Sequence, residues 1–478
     1  MNSNIRRLGL FFLIVFGIML LDVTYWQVID AANMRNRPDN PRLRFQAERV
    51  RRGLIVDRNG TILAGRTIDA NGIVHRSYAD PTLSAVIGYD SDIYGKSGLE
   101  AQFDPYLAGQ VFGASWPSLL DQLEHKPVVG DDLTLTIDDQ LQQQVSAILP
   151  NRPSAAIVAD PRTGEILAMA GKPGFDSNQI GNPAYWNSLQ SNPDAPFINR
   201  PINGYYPPGS TFKTLTLSAA LDSGIQSLDT VYDGVNATGP LVVDSHVYPA
   251  TINNLAECGH SPPISLDIAF ACSDNIVFAE VGLALGQQRF LDYAHRYGLD
   301  QPTPFDLPVS ISHVRTPGET FSNVDLASTA FGQGGLHLTP LQMLMIDEAQ
   351  ANGGQIPLPV LVKKITAPDG SVVKTASYGT LYTPESAATA NTVRQAMVDV
   401  VNNGSGFEAQ IPGIQVAAKT GTAETGDGRP PHAWFICFAP ADHPRVAVVV
   451  LVEHGGEGAY VAAPLAKRIL QAALPLTH

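Results

Sequence analysis

A serine hydroxyl is a poor nucleophile at neutral pH, but Ser210 is followed three residues later by Lys213, an amine that could take its proton. A lysine does this only when its pKa is drawn well below its ordinary value of about 10.4, by burial or by nearby positive charge. The run Tyr205-Tyr206-Pro207-Pro208-Gly209-Ser210-Thr211-Phe212-Lys213 passes from turn-forming residues into an apolar stretch, Thr211 to Ala220, closed by Gly224. Pro and Gly ahead of that stretch and Gly behind it predict a buried helix with Ser210 in its first turn. Residues three apart share a helix face, so hydroxyl and amine can meet.

Ser-x-x-Lys alone is weak, arising by chance on the order of once in a chain this long. Ser371-Val372-Val373-Lys374 repeats it behind the turn signal Asp369-Gly370, but its β-branched pair predicts a strand, where residues three apart point to opposite faces. Ser210 differs in its company: Ser273-Asp274-Asn275 and Lys419-Thr420-Gly421-Thr422 follow in that order at wide, domain-like spacings. The trio matches the pattern of penicillin-binding proteins and class A β-lactamases. Lys96-Ser97-Gly98 also fits the third motif by letter, but it precedes the serine.

The residue types suit acyl transfer, which needs a nucleophile, a base, a proton route to the leaving group and oxyanion donors. Ser210 would attack and Lys213 would accept its proton. Ser273 would relay a proton to the leaving amine, and Asn275 would hold Lys213 and the substrate amide. Lys419 would lower the Lys213 pKa while itself staying charged to attract a carboxylate, which Thr420 and Thr422 would bind. Gly421, lacking a side chain, would let a substrate backbone lie along the strand. The N–H groups of Ser210 and Thr422 are the expected oxyanion donors.

Other elements must position these residues. Ser154 to Asp160 and Glu165 to Ala170 predict a buried hairpin, and Ile414 to Glu424, Ala433 to Ala439 and Arg445 to Glu453 predict strands closed by a helix from Tyr460 to Leu474. Strands at both ends with helices between them predict one antiparallel sheet built from distant segments, an α+β fold flanked by helices. Ahead of it, Ile55-Val56 and Ile62-Leu63 around Asn59-Gly60 predict a two-residue hairpin, and a strand near 131–137 predicts the end of a small mixed domain at about Asp138. Gly332-Gln333-Gly334-Gly335 lacks the Lys-Ser/Thr of a phosphate loop and reads as close backbone packing.

The first residues are membrane-like. Leu8 to Leu21 is uncharged behind Arg6-Arg7, and with Asp22 near the interface the segment extends to Ile29, with Tyr25-Trp26 as an interfacial pair. No small-x-small cleavage site follows, so an uncleaved anchor is expected over residues 1–33. An Arg-rich connector from Arg35 to Arg52 comes next. The net charge of −14 argues against nucleic acid as partner; three cysteines are too few for a disulfide framework, and eleven histidines show no zinc-type spacing, so neither metal nor cofactor is expected.

The chain resembles the class B penicillin-binding proteins, membrane-anchored D,D-transpeptidases of bacterial cell-wall synthesis. Beyond the trio the likeness rests on Arg52-Gly53-Leu54-Ile55-Val56-Asp57-Arg58-Asn59-Gly60, on Asp160-Pro161-Arg162-Thr163-Gly164-Glu165, on Phe331-Gly332-Gln333-Gly334 with Thr339-Pro340-Leu341-Gln342, and on Trp434-Phe435. It implies a non-catalytic pedestal, of dimerisation type, at 34–138 and a transpeptidase domain at 139–478. It implies D-Ala-D-Ala stem peptides as substrate, β-lactams as covalent inhibitors, a polytopic polymerase of the SEDS family as partner, and a catalytic domain outside the cell membrane. A D,D-carboxypeptidase and a non-catalytic β-lactam sensor or scaffold share these motifs. A class A β-lactamase would add a Glu-x-x-x-Asn pair, which Glu319 and Asn323 match only by letter. On this topology Cys258 and Cys272 are extracytoplasmic, where a disulfide could brace the Ser-Asp-Asn loop; two reduced cysteines are the alternative. Cys437, between Ile436 and Phe438, reads as core.

Overall fold

A computed structural model describes residues 2–30, 50–69, 74–110, 128–249, 255, 256 and 258–477. The connector arginines Arg35, Arg37, Arg42 and Arg44 lie outside the described residues. Helix α1 (Asn2–Thr24) continues into a π-helical turn, Tyr25–Ile29. Residues Asn4–Gln27 form one helix long and apolar enough to cross a membrane, and none of that apolar stretch is buried against the rest of the chain.

The small amino-terminal unit carries strands β1 (Ile55–Val56), β2 (Ile62–Ile68), β3 (Val74–Tyr78) and β4 (Asp132–Leu135). The β1–β2 connection is not the two-residue hairpin expected. Gly60 has positive φ and Asn59 does not, and the Asp57 carboxylate accepts from the Asn59 and Thr61 N–H groups, so a side chain organises a longer turn.

Helix α2 (Asp139–Ile148) starts at Asp138, whose side chain accepts from Leu141 N. The larger unit is built on strands β5 (Ser154–Ala159) and β6 (Ile166–Lys172), joined much later in the chain by three more. Between them lie helices α3 (Lys213–Asp222), α4 (Leu266–Ala271), α5 (Asn275–Leu285) and α6 (Pro340–Ala351). Strands β7 (Val362–Thr366) and β8 (Val372–Thr375) follow, then helix α7 (Ala387–Asn402), strands β9 (Ala417–Ala423), β10 (His432–Ala439) and β11 (Val446–Val452), and helix α8 (Gly458–Ala473).

The antiparallel order β9-β10-β11-β5-β6 is the sheet of distant segments that the sequence predicts. Every residue of β5, β10 and β11 is buried, because helices cover both faces. On one face Ala418, Phe435 and Val450 pack with Ala462 and Ile469 of α8; on the other Ala417, Trp434 and Val449 join Leu215 of α3 and Met343 of α6 in one core. Strand β9 is an edge of this sheet, and alternation along it sends Lys419 and Gly421 to the α3 side and Thr420 and Thr422 to the α8 side.

The boundary at 138 is less simple than a linear division. The first unit's sheet runs β8-β7-β4-β1-β2-β3, so residues 362–375 return from the far side of the chain to complete it. Val362 pairs with Leu135 and Ile365 with Leu133. Local patterning could show that 362–375 makes a hairpin, but not which sheet it joins. Ser371 and Lys374 belong to this exposed hairpin, and the Ser371 hydroxyl donates to Asp369. Glu165 also bridges the units, accepting from Arg58 at 3.2 Å and from the Tyr378 hydroxyl at 2.7 Å.

Candidate active site

Ser210 lies in a 3₁₀ turn, Gly209–Phe212, that leads into α3 at Lys213. The expected helix is present, but its first turn is tighter than α, and in 3₁₀ geometry residues three apart eclipse. The turn needs close backbone approaches: Gly209 N donates to Gly332 O at 2.9 Å, and a Cβ on Gly332 would lie 1.8 Å from Gly209 O. The Gly332–Gly335 run therefore serves packing, as its sequence suggests.

Ser273 joins α4 to α5 with φ of +61°, a left-handed conformation uncommon for serine. Next to it Asp274 caps α5 by accepting from Val277 N at 2.9 Å. This bend sets the Ser273 hydroxyl between the two lysines, 3.3 Å from Lys213 Nζ and 2.8 Å from Lys419 Nζ. Lys213 Nζ donates to Ser273 O at 2.6 Å and to Asn275 Oδ1 at 2.7 Å. With the Ser273 hydroxyl at 3.3 Å, the Lys213 amine has three polar partners around it. No hydrogen bond joins Lys213 to Ser210 among the described residues, and such contacts commonly tighten only when substrate binds.

Both lysines are fully buried. Burial pushes Lys213 down from 10.5 to about 7, opposed by the nearby Asp274 carboxylate. Burial and then the Lys213 charge push Lys419 well below its ordinary value. Burial is the first cause at both amines, and a charged Lys213 further disfavours the Lys419 proton.

Thr420 and Thr422 alternate to the other side of β9, but the Thr420 hydroxyl reaches to within 3.4 Å of Lys419 Nζ. Thr420 Oγ1 is 2.8 Å from Ser405 Oγ, and Thr422 Oγ1 accepts from Gly458 N at 3.3 Å. Gly421 also has a packing reason: a Cβ there would come within 2.9 Å of Pro208 O and 2.8 Å of Thr211 Cγ2, so glycine admits the Ser210 turn.

The sequence reading missed Ser405, whose N–H donates to Ala271 O at 3.0 Å, tying the end of α4 to the Lys-Thr-Gly strand. Its only signal is the flanking Gly404 and Gly406. Glu319 and Asn323 stand apart: both are exposed, and Asn323 begins a helix capped by Ser322.

Cys258 and Cys272 form a disulfide, so the oxidised alternative holds, and Cys437 is buried in β10. The bridge ends one residue before Ser273. Replacing both cysteines with serine is expected to cost roughly 2–4 kcal/mol of unfolding free energy, the usual range for such a loop. Chemical denaturation under oxidising and reducing conditions checks this: equal stability in the two would refute a bracing role.

A serine at a tight helix start, a buried depressed lysine beneath it and a second lysine sharing a hydroxyl with the first make up a serine acyltransferase site of the Ser-Lys type. The comparisons agree with this class. The family model for the penicillin-binding protein transpeptidase domain matches residues 154–471, and that for the penicillin-binding protein A dimerisation domain matches 52–133. The chain belongs to the penicillin-binding protein transpeptidase family. It is 33% identical to the peptidoglycan D,D-transpeptidase PbpA of Mycolicibacterium smegmatis, with 99% of each chain covered. It is 30% identical to MrdA of Acinetobacter baumannii over 79% of this chain and 61% of that one. The ceftriaxone acyl-enzyme of penicillin-binding protein A from M. tuberculosis superposes with a TM-score of 0.82 at 32% identity, covering 90% of this chain and 99% of the other.

Proposed function

We infer that this protein is a peptidoglycan D,D-transpeptidase that cross-links stem peptides through an acyl-enzyme on Ser210 and is acylated there by β-lactams. The observation that carries the reading is the shared Ser273 hydroxyl, within hydrogen-bonding reach of both Lys213 and Lys419. Lys213 takes the Ser210 proton as the hydroxyl adds to the penultimate D-Ala carbonyl. The N–H groups of Ser210 and Thr422 receive the oxyanion. The proton then passes through Ser273 to the leaving D-Ala amine, and Asn275 holds the Lys213 amine and the substrate amide.

The terminal carboxylate enters beside Lys419, Thr420 and Thr422, and its negative charge raises the Lys419 pKa toward the charged form. Acceptor amine attack on the ester reverses these transfers and frees Ser210. A carboxypeptidase would admit water at that step. Incubating the full-length protein with a D-Ala-D-Ala pentapeptide and an amine acceptor separates the readings: cross-linked product is expected, hydrolysed tetrapeptide alone indicates a carboxypeptidase, and no turnover despite penicillin labelling indicates a sensor.

The apolar α1 anchors the protein in the cell membrane with a short cytoplasmic tail and the rest outside. Residues 34–138, completed by β7 and β8, act as a pedestal that, together with α1, docks a polytopic SEDS-family polymerase. The transpeptidase domain occupies 139–478 apart from those two strands. Swapping α1 and the connector for an unrelated anchor should leave penicillin labelling intact but abolish growth support and co-purification of a membrane partner. Full complementation by the swapped protein would refute docking through the anchor.

A further inference from the structure

The turn that presents Ser210 is fastened at its root by a partly buried ion pair outside the three motifs. Glu453 Oε1, just past β11, accepts from Arg200 Nε and from the Tyr206 hydroxyl, each at 2.7 Å. Arg200 is 3% exposed, and its other guanidinium N–H groups donate to the Asp194 and Ala195 carbonyls at 2.5 and 3.2 Å, so its orientation is fully determined. The Tyr206 ring packs edge-on to Trp434, and the Trp434 indole donates to Pro207 O at 3.0 Å. Between Tyr206 and the 3₁₀ turn stand only Pro207 and Pro208. Proline narrows φ at both positions, so the linker has little freedom to absorb a shift at Tyr206, whose backbone also pairs with Leu338.

We propose that Glu453, acting through the Tyr206 hydroxyl, is a positioning residue for Ser210, an inference that rests on Ser210 being the nucleophile. The carboxylate already has Arg200 as counter-ion, so the second bond to tyrosine is not needed to neutralise it. What that bond fixes is the distance between the end of β11 and the root of the nucleophile turn. Strand β11 neighbours β10, and β10 neighbours β9, so the same sheet carries Lys419 and this anchor. The serine and the Lys-Thr-Gly strand are thereby referenced to one rigid frame, and a displacement near 1 Å at a reacting atom costs about a hundredfold in rate.

The test is time-resolved acylation of the full-length protein by a fluorescent penicillin, separating the acylation rate constant from the dissociation constant of the preceding complex. Tyr206→Phe keeps the ring against Trp434 and leaves Glu453 paired with Arg200, so packing and charge balance survive. We expect its acylation rate constant to fall by about ten- to a hundredfold, with the dissociation constant within about threefold and the melting temperature within a few degrees of wild type. Glu453→Gln keeps an oxygen that can accept from Tyr206, so its rate constant should lie between those of Tyr206→Phe and wild type. If Tyr206→Phe does not fold, a Glu453→Gln rate constant below wild type at unchanged dissociation constant supports the proposal, and a wild-type one overturns it. A Tyr206→Phe rate constant within twofold of wild type overturns it whatever the melting temperature does. Failure of wild type to label at Ser210 would instead overturn the assignment of the nucleophile.

Discussion

Ser210→Ala abolishes covalent labelling by penicillin, with no residual slow phase at another serine. Ser210 is half-buried at the start of α3, its turn is locked to Gly332, and Lys213 lies in the next position of the same face. The other hydroxyls of the cleft are engaged differently: Ser273 bridges two lysines, Thr420 meets Ser405, and Thr422 accepts from Gly458 N. None of them has a lysine stacked beneath it three residues on. Alanine removes one oxygen from a half-exposed position, so the fold should be unaffected and melting unchanged. Loss of acyl-enzyme formation then amounts to the whole enzymatic rate enhancement, at least about 10⁶-fold. Mass spectrometry of penicillin-treated protein reads the result, and a modified peptide from any other serine would sink the assignment.

Lys213→Arg is expected to lower the acylation rate constant by at least about 10³-fold, within the usual range for removing a general base. Arginine keeps the positive charge but cannot give up its proton at any accessible pH. Its planar head must also replace an amine that sits between Ser273 O and Asn275 Oδ1. The pH profile carries the same argument. Lys213 is drawn down to about 7, so below that pH it is protonated and cannot accept from Ser210, while above it the free base is present. Acylation of the wild type should therefore rise as pH increases through about 7 and level off beyond it. A flat profile across this range, or near wild-type acylation by Lys213→Arg, would show that another group takes the proton.

Much of the site was legible in the chain itself. Lys213, Ser273, Asn275 and Lys419 are joined by hydrogen bonds and Ser210 sits in the turn that leads into Lys213, because each motif combines a chemical group with a local backbone instruction: Pro-Pro-Gly for a helix start, Ser-Asp-Asn for a cap, Lys-Thr-Gly for a strand. The roles of the small residues were less legible. Gly421 has its packing reason in Pro208 O and Thr211, more than two hundred residues earlier, and Ser405 acquires meaning only when Thr420 lies opposite it.

The sequence by itself determined the local periodicities, the membrane-length apolar helix, the helix starts and the nature of the reactive groups, since these depend on neighbours within a few residues. Tertiary structure alone decided which sheet received residues 362–375, how deeply both lysines were buried, and that Glu453 would meet Tyr206. Each of those facts joins segments sixty or more residues apart. Hydrophobic periodicity says that a face will be covered, but the direction of the pKa shift at Lys419 and the clamp on the Ser210 turn depend on which atoms cover it.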